Sequence, residues 1–220
     1  MEKLELSFEG APLHPSMEIS TTKEHMGNAN ITKDHPWHLD EKPWQDYPWK
    51  KTKMHTDLEC HYLYRVAKQL GSGNYLSLGA YKGLSTACLA YGLRDSGGAG
   101  GVYAVDLFTH GENARESFDM GMTRVGLWPF VTVCTGYTQD WADRFEEHGF
   151  KFKFILIDAD HSYETCKLDW ELYNKLLAPR GLVAFHDVNF NTVNRVIEEI
   201  DKDQWEQVDH VYRLKTFARR

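Results

Sequence analysis

Cysteine is scarce in this chain. There are four in 220 residues, Cys60, Cys88, Cys134 and Cys166, and they form no C-x-x-C pair. That spacing excludes a disulfide scaffold and a zinc ribbon and leaves reduced, structural thiols, which predicts a cytoplasmic setting. No apolar run approaches the ~18 residues that a membrane span needs. The opening Met-Glu-Lys-Leu-Glu-Leu has no apolar core of signal-peptide length, so no secretion by that route is expected. Basic residues are outnumbered, 25 Lys and Arg against 32 Asp and Glu, for a net charge of −7. Such a balance argues against a nucleic-acid backbone as partner. Also missing is the G-x-G-x-x-G fingerprint of dinucleotide-binding folds, which counts against a nicotinamide dehydrogenase.

Proline is unevenly spread, with five of the seven before residue 49. The stretch 1–54 also holds His14, His25, His35 and His38 with Trp37, Trp44 and Trp49, and neither a helical nor a strand period holds for long. Its histidines lack the close, regular spacing of a zinc motif. It reads as an irregular arm that packs its aromatics onto the domain or onto a second copy of the chain, compatible with a homo-oligomer. The run from Pro36-Trp-His38 to Pro48-Trp49 is placed to act as a lid over a site.

From residue 55 onward, strand and helix patterns alternate. Thr56-Asp-Leu-Glu59 is a capping box opening a helix through Leu58, Tyr62, Val66 and Leu70. Asn74–Gly79 reads as a strand, followed by a small-residue helix over 84–93. Strands at 102–106 and 130–134 and helices over 113–127 and 139–148 come next. The run Phe154-Ile-Leu-Ile157 reads as a strand buried on both faces. A helix over 162–177, with Leu168, Leu172, Leu176 and Leu177 on one face, leads through the turn Pro179-Arg-Gly181 to a strand at 182–185. A helix over 192–201 and a β segment over 206–218 close the chain. This predicts an α/β domain over 55–220 with a doubly wound, mainly parallel sheet.

Chemistry gathers where strands end. In open α/β sheets ligands bind in the crevice outside the carboxyl ends of the strands. Gly79-x-x-x-Gly83 follows the first strand, a turn that lets a ligand approach the backbone and aims a helix N-terminus at it. Asp106 ends the second, where an acidic residue accepts from ribose hydroxyls or caps a helix. Gly136-Tyr-Thr-Gln-Asp140 follows the third. Asp158, Asp160 and His161 crowd the end of the fourth, of which helix capping accounts for one at most. His186 and Asp187 end the fifth, either as a core histidine and a cap or as groups converging with Asp158 on one ion. Carboxylates suit Mg²⁺ or Mn²⁺, and an imidazole moves the preference toward softer ions.

Gly79-Ala-Tyr-Lys-Gly-Leu-Ser-Thr86, Val102-Tyr-Ala-Val-Asp106, Leu156-Ile-Asp-Ala-Asp-His-Ser-Tyr-Glu164 and Phe185-His-Asp187 resemble the class I S-adenosylmethionine-dependent methyltransferases. Within them the chain is similar to the small O-methyltransferase branch of macrocin-type and catechol-type enzymes, over about residues 56–218. The resemblance implies a seven-stranded Rossmann-like sheet and methyl transfer to a hydroxyl of a small-molecule acceptor. It also implies that Gly79, Ala80, Tyr81 and Gly83 cradle the methionine end of the cofactor, with Ser85 nearby and Asp106 on the ribose. Thr138 and Gln139 would edge the adenine. Asp158, beside the cofactor, would also bind a divalent metal, Mg²⁺ or Mn²⁺, with His186 and Asp187; the catechol-type pattern has Asp-Asn where this chain has His-Asp. Asp160 stands where macrocin-type enzymes place the base, and His161 where catechol-type enzymes place a lysine; Asp160 is the nearer match. Relatives described as cephalosporin-type hydroxylases share the Asp-x-Asp-His motif, so the alternative is the same fold with hydroxylase-like or no methyl-transfer activity.

Overall fold

The computed structural model describes residues 42–50 and 54–220. Histidines 14, 25, 35 and 38 and Trp37 lie outside the described residues. Six helices and seven strands follow residue 54: α1 (Asp57–Leu70), β1 (Asn74–Leu78), α2 (Leu84–Asp95), β2 (Val102–Asp106), α3 (Ala114–Val125), β3 (Val131–Thr135), α4 (Thr138–Glu147), β4 (Phe152–Ile157), α5 (Tyr163–Tyr173), β5 (Leu177–Phe185), α6 (Asn191–Glu198), β6 (Trp205–Val211) and β7 (Leu214–Arg219). The sheet order is β3-β2-β1-β4-β5-β7-β6. All neighbours run parallel except β7, which is antiparallel to both β5 and β6. The chain leaves β1 in one direction and returns on its other side as β4, so the two are adjacent at the point where the winding reverses.

Strand alternation sorts the core into two layers. Tyr75, Ala104, Phe154, Leu156 and Ala184 face α1, α2 and Phe118 of α3. Leu76, Val105, Ile155, Ile157 and Phe185 face Trp141, Cys166, Tyr173 and Val196 on the other three helices. The β4 run is buried along both faces, as its unbroken apolar character predicts. All four cysteines are free and buried.

Three elements depart from the sequence reading. Leu168, expected on the buried face of α5, is 40% exposed; Cys166, Asp169 and Tyr173 are buried in its place. Pro179-Arg-Gly181 sits within β5 as an irregularity, because Leu177 already pairs with Phe152 while Leu182 pairs with Phe154. The closing β segment is two strands folded at Tyr212 and Arg213, with Tyr212 in the left-handed region. The reading of α1 was also too narrow. Besides Tyr62 and Val66, it buries Cys60, Leu63 and Ala67, and Trp44 packs against its His61 and Tyr64. α2 crosses α1 so closely that a Cβ on Gly92 would lie 2.2 Å from the Tyr64 carbonyl oxygen. The helix's small residues therefore admit a second helix as well as the sheet.

Asp169 is fully buried on α5. It accepts from the Thr138 hydroxyl at 2.6 Å on one oxygen and has no hydrogen-bond partner for the other among the described residues. Burial pushes its carboxyl up to about 6. A folded-state value above the unfolded one favours folding most at low pH, and that contribution is lost as pH rises from about 4 through about 6. Asp169→Asn is therefore expected to raise the melting temperature by a few degrees at pH 7.5 and to change it little at pH 4.5. Equal shifts at both pH values in thermal denaturation would show that the carboxyl is not buried in its charged form.

Candidate active site

Register brings the strand-end residues together. Leu78 pairs with Ile157 and Ile157 with Phe185, so Gly79, Asp158 and His186 emerge side by side. Backbone bonds extend each strand by one residue at this edge: Gly79 N–H donates to Val105, Asp158 to Leu78 and His186 to Ile157. Gly79 has φ +80, and a Cβ there would stand 2.0 Å from the carbonyl oxygen of Asp158. Only glycine lets β1 turn away this close to β4. Gly79, Ala80, Tyr81, Gly83 and Ser85 line one cavity of about 500 Å³ with Asp106, Asp158, Asp160, His161, His186 and Asp187. Thr138 and Gln139 are not among its lining residues. Thr138 is held instead by Asp169 through its hydroxyl and by Tyr173, whose hydroxyl donates to its carbonyl.

Asp106 accepts from the backbone N–H of Tyr81 at 2.7 Å on one oxygen and of Phe108 at 2.5 Å on the other. The carboxylate is thereby fixed across the mouth of the Gly79 turn, with lone pairs to spare. Asp160 accepts from Ser162 N–H at 2.9 Å, and Ser162 caps α5. Capping and cavity lining thus coexist in one short loop.

The centre of the site is ionic. His186, 2% exposed, sets Nδ1 3.0 Å from Asp158 and Nε2 3.1 Å from Glu59. Burial opposes a charge on this ring, but Asp158, Asp187 and Glu59 outweigh it and hold the imidazole well above its ordinary value. Glu59 is fully buried; burial raises its carboxyl, yet His186 and the Thr56 backbone hold it down at about 2. Asp158 and Asp187 are likewise held below the usual carboxylate range, against burial, chiefly by His186 and His161. Arg213 donates to Asp187 at 2.8 Å and through its backbone N–H to Glu59 at 3.2 Å. Three carboxylates, two imidazolium rings and one guanidinium balance.

His161 places Nε2 3.2 Å from Asp187 and 3.7 Å from Asp158, out of line for a hydrogen bond, and stacks on Phe190 at 5.0 Å. Asp158 and Asp187 push its imidazole up to about 9. His55 is 7% exposed and stacks on His186 with ring centroids 4.2 Å apart. Burial and the neighbouring His186 cation push His55 down to about 4, so it is neutral. Neither of its ring nitrogens has a hydrogen-bond partner among the described residues.

A family model for the methyltransferase domain matches residues 76–188, just over half of the chain. The chain belongs to this methyltransferase family. No curated protein matches it. Among solved structures, the O-methyltransferase from Bacillus cereus in complex with S-adenosylhomocysteine superposes with a TM-score of 0.61 at 23% identity, covering 80% of this chain and 84% of that one. TomG from Streptomyces achromogenes, an O-methyltransferase involved in tomaymycin synthesis and bound to S-adenosylmethionine, gives 0.63 at 16%, with 81% and 89% covered. An S-adenosylhomocysteine-bound methyltransferase from Podospora anserina gives 0.64 at 14%, with 82% and 88% covered. At these identities the shared property is the fold, and it is the seven-stranded Rossmann-like sheet of S-adenosylmethionine-dependent methyltransferases.

The methyltransferase's donor set suits a divalent ion: two groups of metal-ligating atoms, His55–Asp158–His186 and Asp158–His161–Asp187, each lie within 4.8 Å of one another. Several contributors escaped the sequence, among them Thr109 and His110 in the loop after β2, which line the cavity. Glu59 was fully accounted for by its capping box, which it does form, accepting from Thr56 N–H at 2.7 Å. His55 precedes the helix with no motif around it. Arg213 lies on a hairpin turn far along the chain, and Met54 carries no chemical signature; Met54 joins Trp49 in lining the cavity.

His161's raised value contributes stability that is present below about pH 6.5 and lost as pH rises through about 9. Nitrogen-detected NMR of the metal-free protein is expected to find His161 still protonated at pH 8, with Asp187→Asn lowering its midpoint by about a unit or more. A wild-type midpoint near 6.5 would show that the two carboxylates do not engage this ring.

Proposed function

We propose that the protein is an O-methyltransferase that moves the methyl of S-adenosylmethionine to a hydroxyl of a small-molecule acceptor with the help of a divalent metal. The observation that supports this most directly is the convergence of the Gly79–Gly83 turn, Asp106 and the Asp158–His186–Asp187 edge on one cavity at the sheet's reversal point.

When bound, the cofactor supplies an electrophilic methyl and the metal supplies acidification of the acceptor hydroxyl. The chain does the positioning. Asp106, pinned by two backbone N–H groups, presents its remaining lone pairs to the ribose diol. The Gly79–Gly83 turn and Ser85 receive the methionine end. The Asp158, His186 and Asp187 edge would hold the metal, and the cavity walls would orient the acceptor oxygen for an in-line displacement. Asp160 takes the acceptor's proton: one oxygen is engaged by Ser162 N–H, and the other is available. His161 in the metal-free geometry is already protonated and reaches that role only after losing its proton. Thr138 and Gln139 are assigned to the adenine edge. Residues 1–54 are assigned as an arm preceding the domain over 55–220; of its described residues, Trp49 and Met54 line the cavity, which suits a lid. No helix among the described residues is long and apolar enough to cross a membrane.

Titration with S-adenosylmethionine and S-adenosylhomocysteine tests the cofactor. Asp106→Ala is expected to weaken binding by about 100-fold, roughly the 2.7 kcal/mol of a lost charged hydrogen-bond pair. Asp158→Ala is expected to bind the cofactor within a few-fold of wild type yet add no methyl mass to a library of hydroxyl compounds. Full transfer by that variant in EDTA would sink the metal's part, and a wild type that binds neither ligand would sink the whole reading.

A further inference from the structure

We infer that His55, Asp158 and His186 form a two-histidine, one-carboxylate site for a transition-metal dication of the Co²⁺, Fe²⁺ or Zn²⁺ type. This deepens the metal assistance proposed above and rests on it, but not on the acceptor or on methyl transfer.

His55 carries the argument. It enters from the residue just before the α1 cap, outside every strand-end motif, and its side chain is 5% exposed. Its Nε2 lies 3.6 Å from Asp158 Oδ2 and makes no hydrogen bond to it. A buried ring with two unpartnered nitrogens forgoes hydrogen bonds that water would supply, and burying such groups unpaired is costly. An ion between His55 and Asp158 removes that cost at one of the two nitrogens, Nε2. His55 has no hydrogen bond to break in turning from its stack on His186 toward a shared ion.

The other two donors are set for the same ion. His186 Nδ1 and Asp158 Oδ1 stand 3.0 Å apart, which suits neighbouring ligands at metal–ligand distances of about 2.0–2.2 Å. His186 also has the support that metal-bound histidines receive: its far nitrogen, Nε2, meets a carboxylate, Glu59, at 3.1 Å. Glu59 is itself immobilised by Thr56 N–H and by the backbone N–H of Arg213. Two imidazoles with one carboxylate favour later first-row dications over Mg²⁺, which prefers oxygen ligands and retains water.

Without a metal, His55 would be a ring packed on His186, and a phenyl group would serve as well. His55→Phe separates the two roles, since it keeps the stack and removes both nitrogens. The full chain, stripped of metal, is titrated with Co²⁺, Zn²⁺ and Mg²⁺, and pulsed electron paramagnetic resonance of the Cu²⁺-loaded wild type counts coordinated imidazoles. The expected result is one tight site that prefers Co²⁺ and Zn²⁺ over Mg²⁺ by about 100-fold or more. Two imidazoles should bind in the wild type and in His161→Ala. His55→Phe should bind Co²⁺ at least about 100-fold more weakly, with Mg²⁺ little changed. A single imidazole, or a His55→Phe variant with wild-type Co²⁺ affinity, overturns the inference while leaving a carboxylate metal site at Asp158 and Asp187. Absence of binding by any ion overturns it together with the metal assistance. Cofactor titration of the same samples in EDTA reads the methyltransferase proposal independently.

Discussion

The structure depends on one buried cation. His186 lies at the end of β5, next to the central strand β4, with a carboxylate at each ring nitrogen, Asp158 from the end of β4 and Glu59 from α1. Removing such groups from water costs several kcal/mol per ion, so the arrangement persists only because each charge meets its opposite at hydrogen-bonding distance. Its three members come from three elements that are far apart in sequence. Breaking any one contact strands the remaining charges in the interior, which makes correct docking of α1 and correct register of β4 against β5 a single electrostatic requirement.

α1 meets that requirement by using one side chain twice. Glu59 closes the helix's capping box through Thr56, and with the same carboxylate it reaches His186 and Arg213. The cap fixes where the helix starts, and so fixes where the carboxylate lies relative to the sheet edge. On the helix's other side, the 3₁₀ turn Pro43–Asp46 and Tyr47 press inward, with Tyr47 donating to the Lys82 carbonyl and Trp49 to that of Ser117. The chain ahead of α1 is therefore tied to the loop after β1, the loop that lines the cavity. Packing of that segment and shape of the site are coupled.

The α/β class, the sheet's winding and most strand boundaries were legible because apolar runs and turn residues mark them locally. Asp106, Asp158, Asp160, His161, His186 and Asp187 were legible as cavity residues for the same reason, being polar groups placed where apolar strands stop. What escaped was whatever depends on tertiary approach. Leu168 fits a helical apolar stripe, but the sheet meets α5 at Cys166 and Tyr173, where the side chains fit the space between layers. Glu59 carried a sufficient local explanation, which concealed its second contact. Arg213 and His55 reach the site from opposite ends of the domain, and no spacing rule links residues 158 positions apart.

Charge neutrality defines what the site can accept. Its carboxylates are already satisfied by two imidazolium rings and Arg213, so a dication enters without excess charge only by displacing protons from His161 and His186. Binding of the proposed metal would then compete with protons at the groups that hold the fold's edge together. The arrangement explains how a site that gathers two sheet-edge carboxylates and Glu59 of α1 stays folded: the histidines and Arg213 supply the balancing charge. It also accounts for His186-Asp187 where the catechol-type pattern has Asp-Asn. A histidine supplies the cation that Asp158 and Glu59 need, and as a neutral ring it would still be able to coordinate the proposed ion once the proton leaves.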